Sequence, residues 1–256
     1  MSRFNNLEFQ DGSEEQFSTT PVVKDEAYYE REAQTAFESG NFEQALRWFA
    51  KVLEHNPDNT RAWTGQVRML IEMEEFYEAK MWADKALERF PHESELLAAK
   101  AVALARMGDL ENALAFSDAA VEERGDTPYI WLARGDVLLA AKRKQAGSCI
   151  EQALIRARDW FVHWLASRIY YYYHKFSLAL KMAQQGTALD AARGVLWLQL
   201  GRCQLALGLE GVAGNSFEQA VQLDPQQQEA VNASVKSARA GPLRRLYRWC
   251  RGAFQR

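Results

Sequence analysis

The sequence predicts an all-α solenoid, and three observations predict it: a composition of helix formers, a shortage of turn residues, and a motif that returns every 34 residues. Ala, Leu, Glu, Gln and Arg dominate the 256 residues, and all are favourable in helices. The 15 Gly and 6 Pro can hardly furnish the turn every 8–12 residues or so that a β-sandwich or barrel demands. Apolar residues at 48% and charged residues at 25% exclude a mostly disordered or fibrous chain. The length alone allows one large domain or two modest ones.

The repeat orders the elements. NFEQALRWFAKVLEHNP (41–57) returns 34 residues later as EFYEAKMWADKALERFP (75–91). An aromatic residue (Phe42, Phe76) precedes a small one (Ala45, Ala79), and Val52 or Ala86, then Leu, then Pro57 or Pro91 follow. DLENALAFSDAAVEERG (109–125) continues the pattern with Ala113 and Ala120. LEGVAGNSFEQAVQLDP (209–225) closes it with Ala213, Phe217, Ala220 and Pro225. Upstream of each such helix lies another, marked by Trp63 with Val67, Trp131 with Gly135, and Trp197 with Gly201. Small residues allow two backbones to approach, and large ones fill the gap from the next unit. Proline ends the second helix because it lacks an N–H and disfavours helix in the residue before it.

Period and pattern resemble the tetratricopeptide repeat, a helix–turn–helix unit, over about 200 of the 256 residues. The resemblance implies a right-handed superhelix of six copies, near 26–59, 60–93, 94–127, 128–160, 161–193 and 194–227. The fourth and fifth copies each read one residue short at the internal turn, around Lys142–Lys144 and His174–Phe176. They carry Arg158 and Ala191 where the proline is expected. No unit can bury its apolar face alone, so the copies must stack. The polar run after Pro225 reads as a capping helix, giving a solenoid over 26–240. Residues 1–25 read as a flexible acidic arm and 241–256 as a basic amphipathic tail.

Charge is distributed unevenly. Residues 1–30 hold two basic groups (Arg3 and Lys24) against seven acidic ones, whereas 239–256 hold six arginines and no acid. In the tail, Leu243, Leu246, Tyr247, Cys250 and Phe254 share one helical face, and Arg244, Arg245, Arg248 and Arg251 fall mostly elsewhere. Such a helix suits an anionic membrane surface, a partner, or the solenoid itself. Nucleic acid is disfavoured, because the body of the chain is acidic. Three cysteines without a C-x-x-C pair suit a reducing compartment. The first residues show no secretory h-region, and no 18-residue apolar run is present. A cytoplasmic protein is expected, with any membrane attachment peripheral.

Catalysis finds no motif. Phosphate loops, dinucleotide fingerprints, H-E-x-x-H and G-x-S-x-G are absent, and the 4 His lie without Cys or paired carboxylates at ligand spacing. Neither catalytic residues, a metal site nor a cofactor is expected.

In the tetratricopeptide family the first helices line a concave groove, and positions near 2, 5, 9, 12 and 13 of a unit face it. The first three copies place Glu30, Gln34, Arg61, Arg68, Glu72, Glu95 and Arg106 there. The last three place Tyr129, Leu132, Leu139, Val162, Leu165, Ile169, Tyr172, Tyr173, Val195, Leu198 and Leu205, interrupted by Asp136 and Arg202. That is more apolar surface than a monomer normally exposes in one patch. It implies a groove for a partner helix or apolar peptide, a groove filled by the chain's own arm or tail, or core residues misread by one position. The clamp with which some relatives hold chaperone C-termini would require Lys, Asn and Arg, but Glu30, Gln34, Gly65, Glu95 and Ala99 stand at those positions. The expected role is a non-catalytic scaffold or adaptor. The alternative is a peripheral-membrane assembly factor or co-chaperone anchored by its tail.

Overall fold

A computed structural model describes residues 24–235, apart from 124, 229, 233 and 234. Six helix pairs follow one another: α1 (Glu26–Glu38) with α2 (Phe42–His55), α3 (Thr60–Glu72) with α4 (Phe76–Arg89), and α5 (Ser94–Met107) with α6 (Leu110–Glu122). The last three are α7 (Pro128–Ala140) with α8 (Ala146–Arg156), α9 (Trp160–Tyr172) with α10 (Phe176–Leu189), and α11 (Gly194–Ala206) with α12 (Glu210–Leu223). A short 3₁₀ turn, Pro225–Gln227, follows. Among the described residues there is no strand. The capping helix is helical at residues 228, 230–232 and 235, where Val231 and Val235 pack on the last pair. The arm through residue 23 and the tail arginines Arg244, Arg245, Arg248 and Arg251 lie outside the described residues.

Five of the helices begin on a side-chain cap. Asp25, Asn59, Asp109, Thr127 and Asp159 accept hydrogen bonds from the N–H groups of Tyr28, Ala62, Asn112, Ile130 and Val162, satisfying donors that the first turn leaves open. The two helices of each pair are joined through one left-handed residue: Gly40, Glu74, Gly108, Lys142, His174 or Gly208. Glycine accepts that conformation without penalty, whereas the other three carry a Cβ into it.

These turn residues correct the expected register. Their spacing is 34 residues everywhere except from Lys142 to His174, where it is 32. The fifth pair is not short, and it starts at Trp160 rather than at 161. Both missing residues belong to the second half of the fourth pair, where α8 has 11 residues against 14 in α10. The start of α9 was legible, since Asp159 is a good N-cap before an apolar run.

Within a pair, close approach depends on small side chains. A Cβ on Gly201 would stand 2.6 Å from the Phe217 ring, and one on Gly135 would stand 2.6 Å from Ile150. Ala45, Ala79, Ala113, Ala179 and Ala213, the small residues of the second helices, are all buried.

The solenoid also curves back on itself. One hydrophobic cluster joins Ala33, Phe37 and Phe49 of the first pair to Trp164, Leu165 and Leu196 of the fifth and sixth. The Phe37 ring lies 5.0 Å edge-on from Phe161, and Phe42 stacks 6.1 Å from Trp164. A Cβ on Gly40 would sit 3.3 Å from Val195 Cγ1, so the α1–α2 turn rests directly on α11. Gln227 Nε2 donates to the Ser39 carbonyl at 3.1 Å, and Asn41 Nδ2 donates to Gln226 Oε1 at 3.1 Å. The capping segment therefore closes the last pair and ties it to the first.

Candidate functional site

The concave face encloses a cavity of about 970 Å³ lined by the first helices of the second to sixth pairs. Tyr129, Leu132, Leu165, Ile169, Tyr172, Tyr173 and Arg202 of the expected groove set line it. Leu198 and Val195 line a smaller neighbouring cavity, again with Arg202, beneath the α1–α2 turn. Leu139, Val162 and Leu205 line neither.

The expectation that these apolar groups stand open on the surface requires correction. Leu132, Val162, Leu165, Val195 and Leu198 are buried, none more than 6% exposed. The causes for Val162 and Val195 differ. Val162 moved one position when α9 started at Trp160, which takes it into the core. Val195, by contrast, is covered by the α1–α2 turn. The first pair meets Phe161 and Trp164, which the shifted register had left out of the groove set. Much of the apolar character of the second half thus serves the closure of the solenoid.

Polar residues of the first half enter the same cavity. Arg106 Nε and Nη2 donate to the two Asp136 oxygens at 3.0 and 2.6 Å, and the Tyr173 hydroxyl donates to Asp136 Oδ1 at 2.6 Å. Both charged side chains are less than 10% exposed. Burial works against the Arg106 charge, but the facing Asp136 carboxylate outweighs it and holds the guanidinium firmly protonated. Burial, then the Asp136 charge, pushes the Tyr173 hydroxyl well above the ordinary phenol range. The Arg106 guanidinium also lies 3.4 Å over the Tyr172 ring.

A second pair spans the cavity. Arg168 Nε and Nη2 donate to Glu72 Oε2 at 2.8 and 2.5 Å, joining residues 96 positions apart. Its guanidinium is 4.6 Å from Phe42 and 5.2 Å from Trp164, so it belongs to the closing cluster as well. Arg68 sits between two rings, 4.9 Å from Phe37 and 3.9 Å from Tyr129. Burial and the neighbouring Arg168 charge bring the Arg202 pKa down to about 10. Three further polar groups of the first half are engaged within a repeat or with the next one. Glu30 accepts from Asn59, Gln34 donates to Glu38, and Glu95 accepts from Thr127.

Sequence comparison places this architecture. A family model for the tetratricopeptide repeat matches residues 6–159, and a second model of the same repeat matches 195–227. The chain belongs to the tetratricopeptide repeat family. No curated protein matches it in sequence. Among solved structures, it resembles a tetratricopeptide protein of Thermus thermophilus at TM-score 0.54 and 20% identity, covering 70% of this chain and 99% of that one. It also resembles a chain of the APC/C hetero-tetramer Cut9–Hcn1 at TM-score 0.50 and 14% identity, covering 84% of this chain and 43% of the other. The tetratricopeptide chain described here therefore spans less than half the length of that second structure. Identities this low establish the shared fold alone. As a class, tetratricopeptide solenoids present concave surfaces on which other proteins are bound. No helix among the described residues is long and apolar enough to cross a membrane.

Proposed function

We propose that this tetratricopeptide protein is a non-catalytic scaffold that takes a short segment of a partner protein into its central cavity. The observation that carries this reading is the cavity itself, in which aliphatic side chains (Leu132, Leu165, Ile169), tyrosines and arginines converge from five successive repeats. Such a mixture suits a peptide, because apolar walls supply burial while a few placed polar groups fix orientation. At a helix diameter of about 10–12 Å, the volume holds roughly two helical turns, so a long helix running the length of the groove is the poorer fit. Closure by the first pair removes Phe161 and Trp164 from the available surface and leaves Ile169, Tyr129 and Tyr172 as the contact set.

The test is Ile169→Asp in the full chain. A carboxylate there must be desolvated when a partner segment enters, so pull-down of partners should fall at least tenfold while helicity is retained. Undiminished capture with intact helicity would remove the cavity as the binding site.

The basic tail remains a separate proposal, resting on its sequence alone. Reversing Arg244, Arg245, Arg248 and Arg251 to Glu should abolish sedimentation with anionic liposomes, since each arginine contributes about 1 kcal/mol at such a surface. Sedimentation unchanged by the reversal would end the membrane reading.

A further inference from the structure

We propose that the segment taken into the cavity carries a side-chain oxyanion, a carboxylate or a phosphate, and that Arg68 receives it. This inference deepens the reading above and rests on it. The cavity wall holds four guanidinium groups, Arg68, Arg106, Arg168 and Arg202, against three carboxylates, Glu72, Glu74 and Asp136. These charges are not interchangeable. Asp136 is fully used by Arg106 and Tyr173, and Glu72 is used by Arg168. Glu74 stands exposed in the α3–α4 turn, at the edge of the cavity, where water screens it. None of these three carboxylates is paired with Arg68.

Arg68 is the member of the set prepared for a ligand. Among the described residues no hydrogen bond or ion pair engages it; only the faces of Phe37 and Tyr129 hold its guanidinium. Aromatic faces fix the plane of the group yet consume none of its five N–H donors, which suits capture of an oxyanion by two parallel hydrogen bonds. One guanidinium with open donors matches a single oxyanion. A nucleic-acid backbone would require cations for many phosphates and would meet Asp136, Glu72 and Glu74.

The test uses full-length protein and arrays of random hexapeptides with both ends blocked, so that no terminal carboxylate is present. Three arrays carry Glu, phosphoserine or Gln at the centre. The wild-type protein should retain the Glu or phosphoserine peptides about tenfold better than the Gln peptides, and the better of the two identifies the source of the oxyanion. Arg68→Gln should erase that preference, bringing retention of the anionic arrays down to that of the Gln array, and Arg68→Lys should restore part of it. If Arg68→Gln lowers helicity, the wild type is assayed with rising salt instead, where only the anionic arrays should lose retention. Equal retention of all three arrays overturns the proposal, as does a preference that survives both Arg68→Gln and salt. Failure to retain any peptide overturns the scaffold reading beneath it, an outcome distinct from binding without charge preference.

Discussion

The junctions between successive repeats and the junction that closes the solenoid are made of different materials. Successive pairs meet through small residues and aliphatic side chains that return with the repeat, such as Ala79, Ala83 and Ala86 of α4 beside Leu96, Leu97 and Val102 of α5. The closing junction uses large rings from opposite ends of the solenoid: Phe37 and Phe42 against Phe161 and Trp164, flanked by the Arg168–Glu72 and Arg193–Glu38 pairs. A stacked junction is specified twice, by local pattern and by chain connectivity. The closing one is specified by side chains far apart in the chain, and its loop-closure cost is offset by burial of large aromatic surfaces.

The largest expected effect belongs to a stacked junction. Asp136→Ala, between the third and fourth repeats, leaves Arg106 charged and buried without its carboxylate, a loss of about 3–5 kcal/mol. Chemical denaturation should show it as a lowered midpoint for the whole chain; a loss under about 1 kcal/mol would mean that water reaches the pair.

Phe37→Ala tests the closing junction. Removing a buried phenyl ring costs about 3 kcal/mol or more. Here the distinguishing measurement is small-angle scattering: an open but still helical solenoid, with a larger radius of gyration, supports two kinds of junction. Loss of helicity throughout would show instead that both kinds melt as one unit.

Gly201→Ala returns to the packing within a repeat. Its added methyl meets the Phe217 ring, so a destabilisation of about 1–3 kcal/mol is expected, opposite to the gain that alanine brings to an unconstrained helix. A more stable variant would show that Phe217 can move aside. Arg168→Gln should cost less, about 1 kcal/mol, because its partner Glu72 and Arg168 itself are both about one-fifth exposed. Combined with Phe37→Ala it should show coupling, and strict additivity would place the ion pair outside the closing unit. Smallest of all is Glu74→Gly, which frees a left-handed turn residue of its Cβ and should raise stability by no more than about 1 kcal/mol. A fall in midpoint would mean that the Glu74 side chain contributes more than its backbone costs.

Much of the fold could be read directly, and the places where reading failed have specific causes. The 34-residue spacing located the helix pairs because each rests on contacts inside one repeat or with the next. The slip in the fifth repeat arose from aligning it by length when Asp159 already marked the helix start. Once shifted by one, Phe161 and Trp164 disappeared from the concave face and Val162 entered it. Membership of the cavity was legible for Tyr129, Leu132 and Arg202, which lie in repeats read in register. Their surroundings were not, since nothing in the pattern of the fifth and sixth repeats announces that the first will lie against them.

By itself the sequence determined the secondary structure, the stacking order and the helix boundaries outside the fourth and fifth pairs, because these depend on propensity, caps and neighbours within about one repeat length. Only the tertiary structure decided that Phe37 meets Phe161, that Glu72 reaches Arg168, and that a cavity lined by four arginines lies on the concave face. Such contacts follow from the curvature of the solenoid, which is the accumulation of a small rotation at every junction. A change of a few degrees per repeat, invisible in any one of them, sets whether the first and last repeats touch.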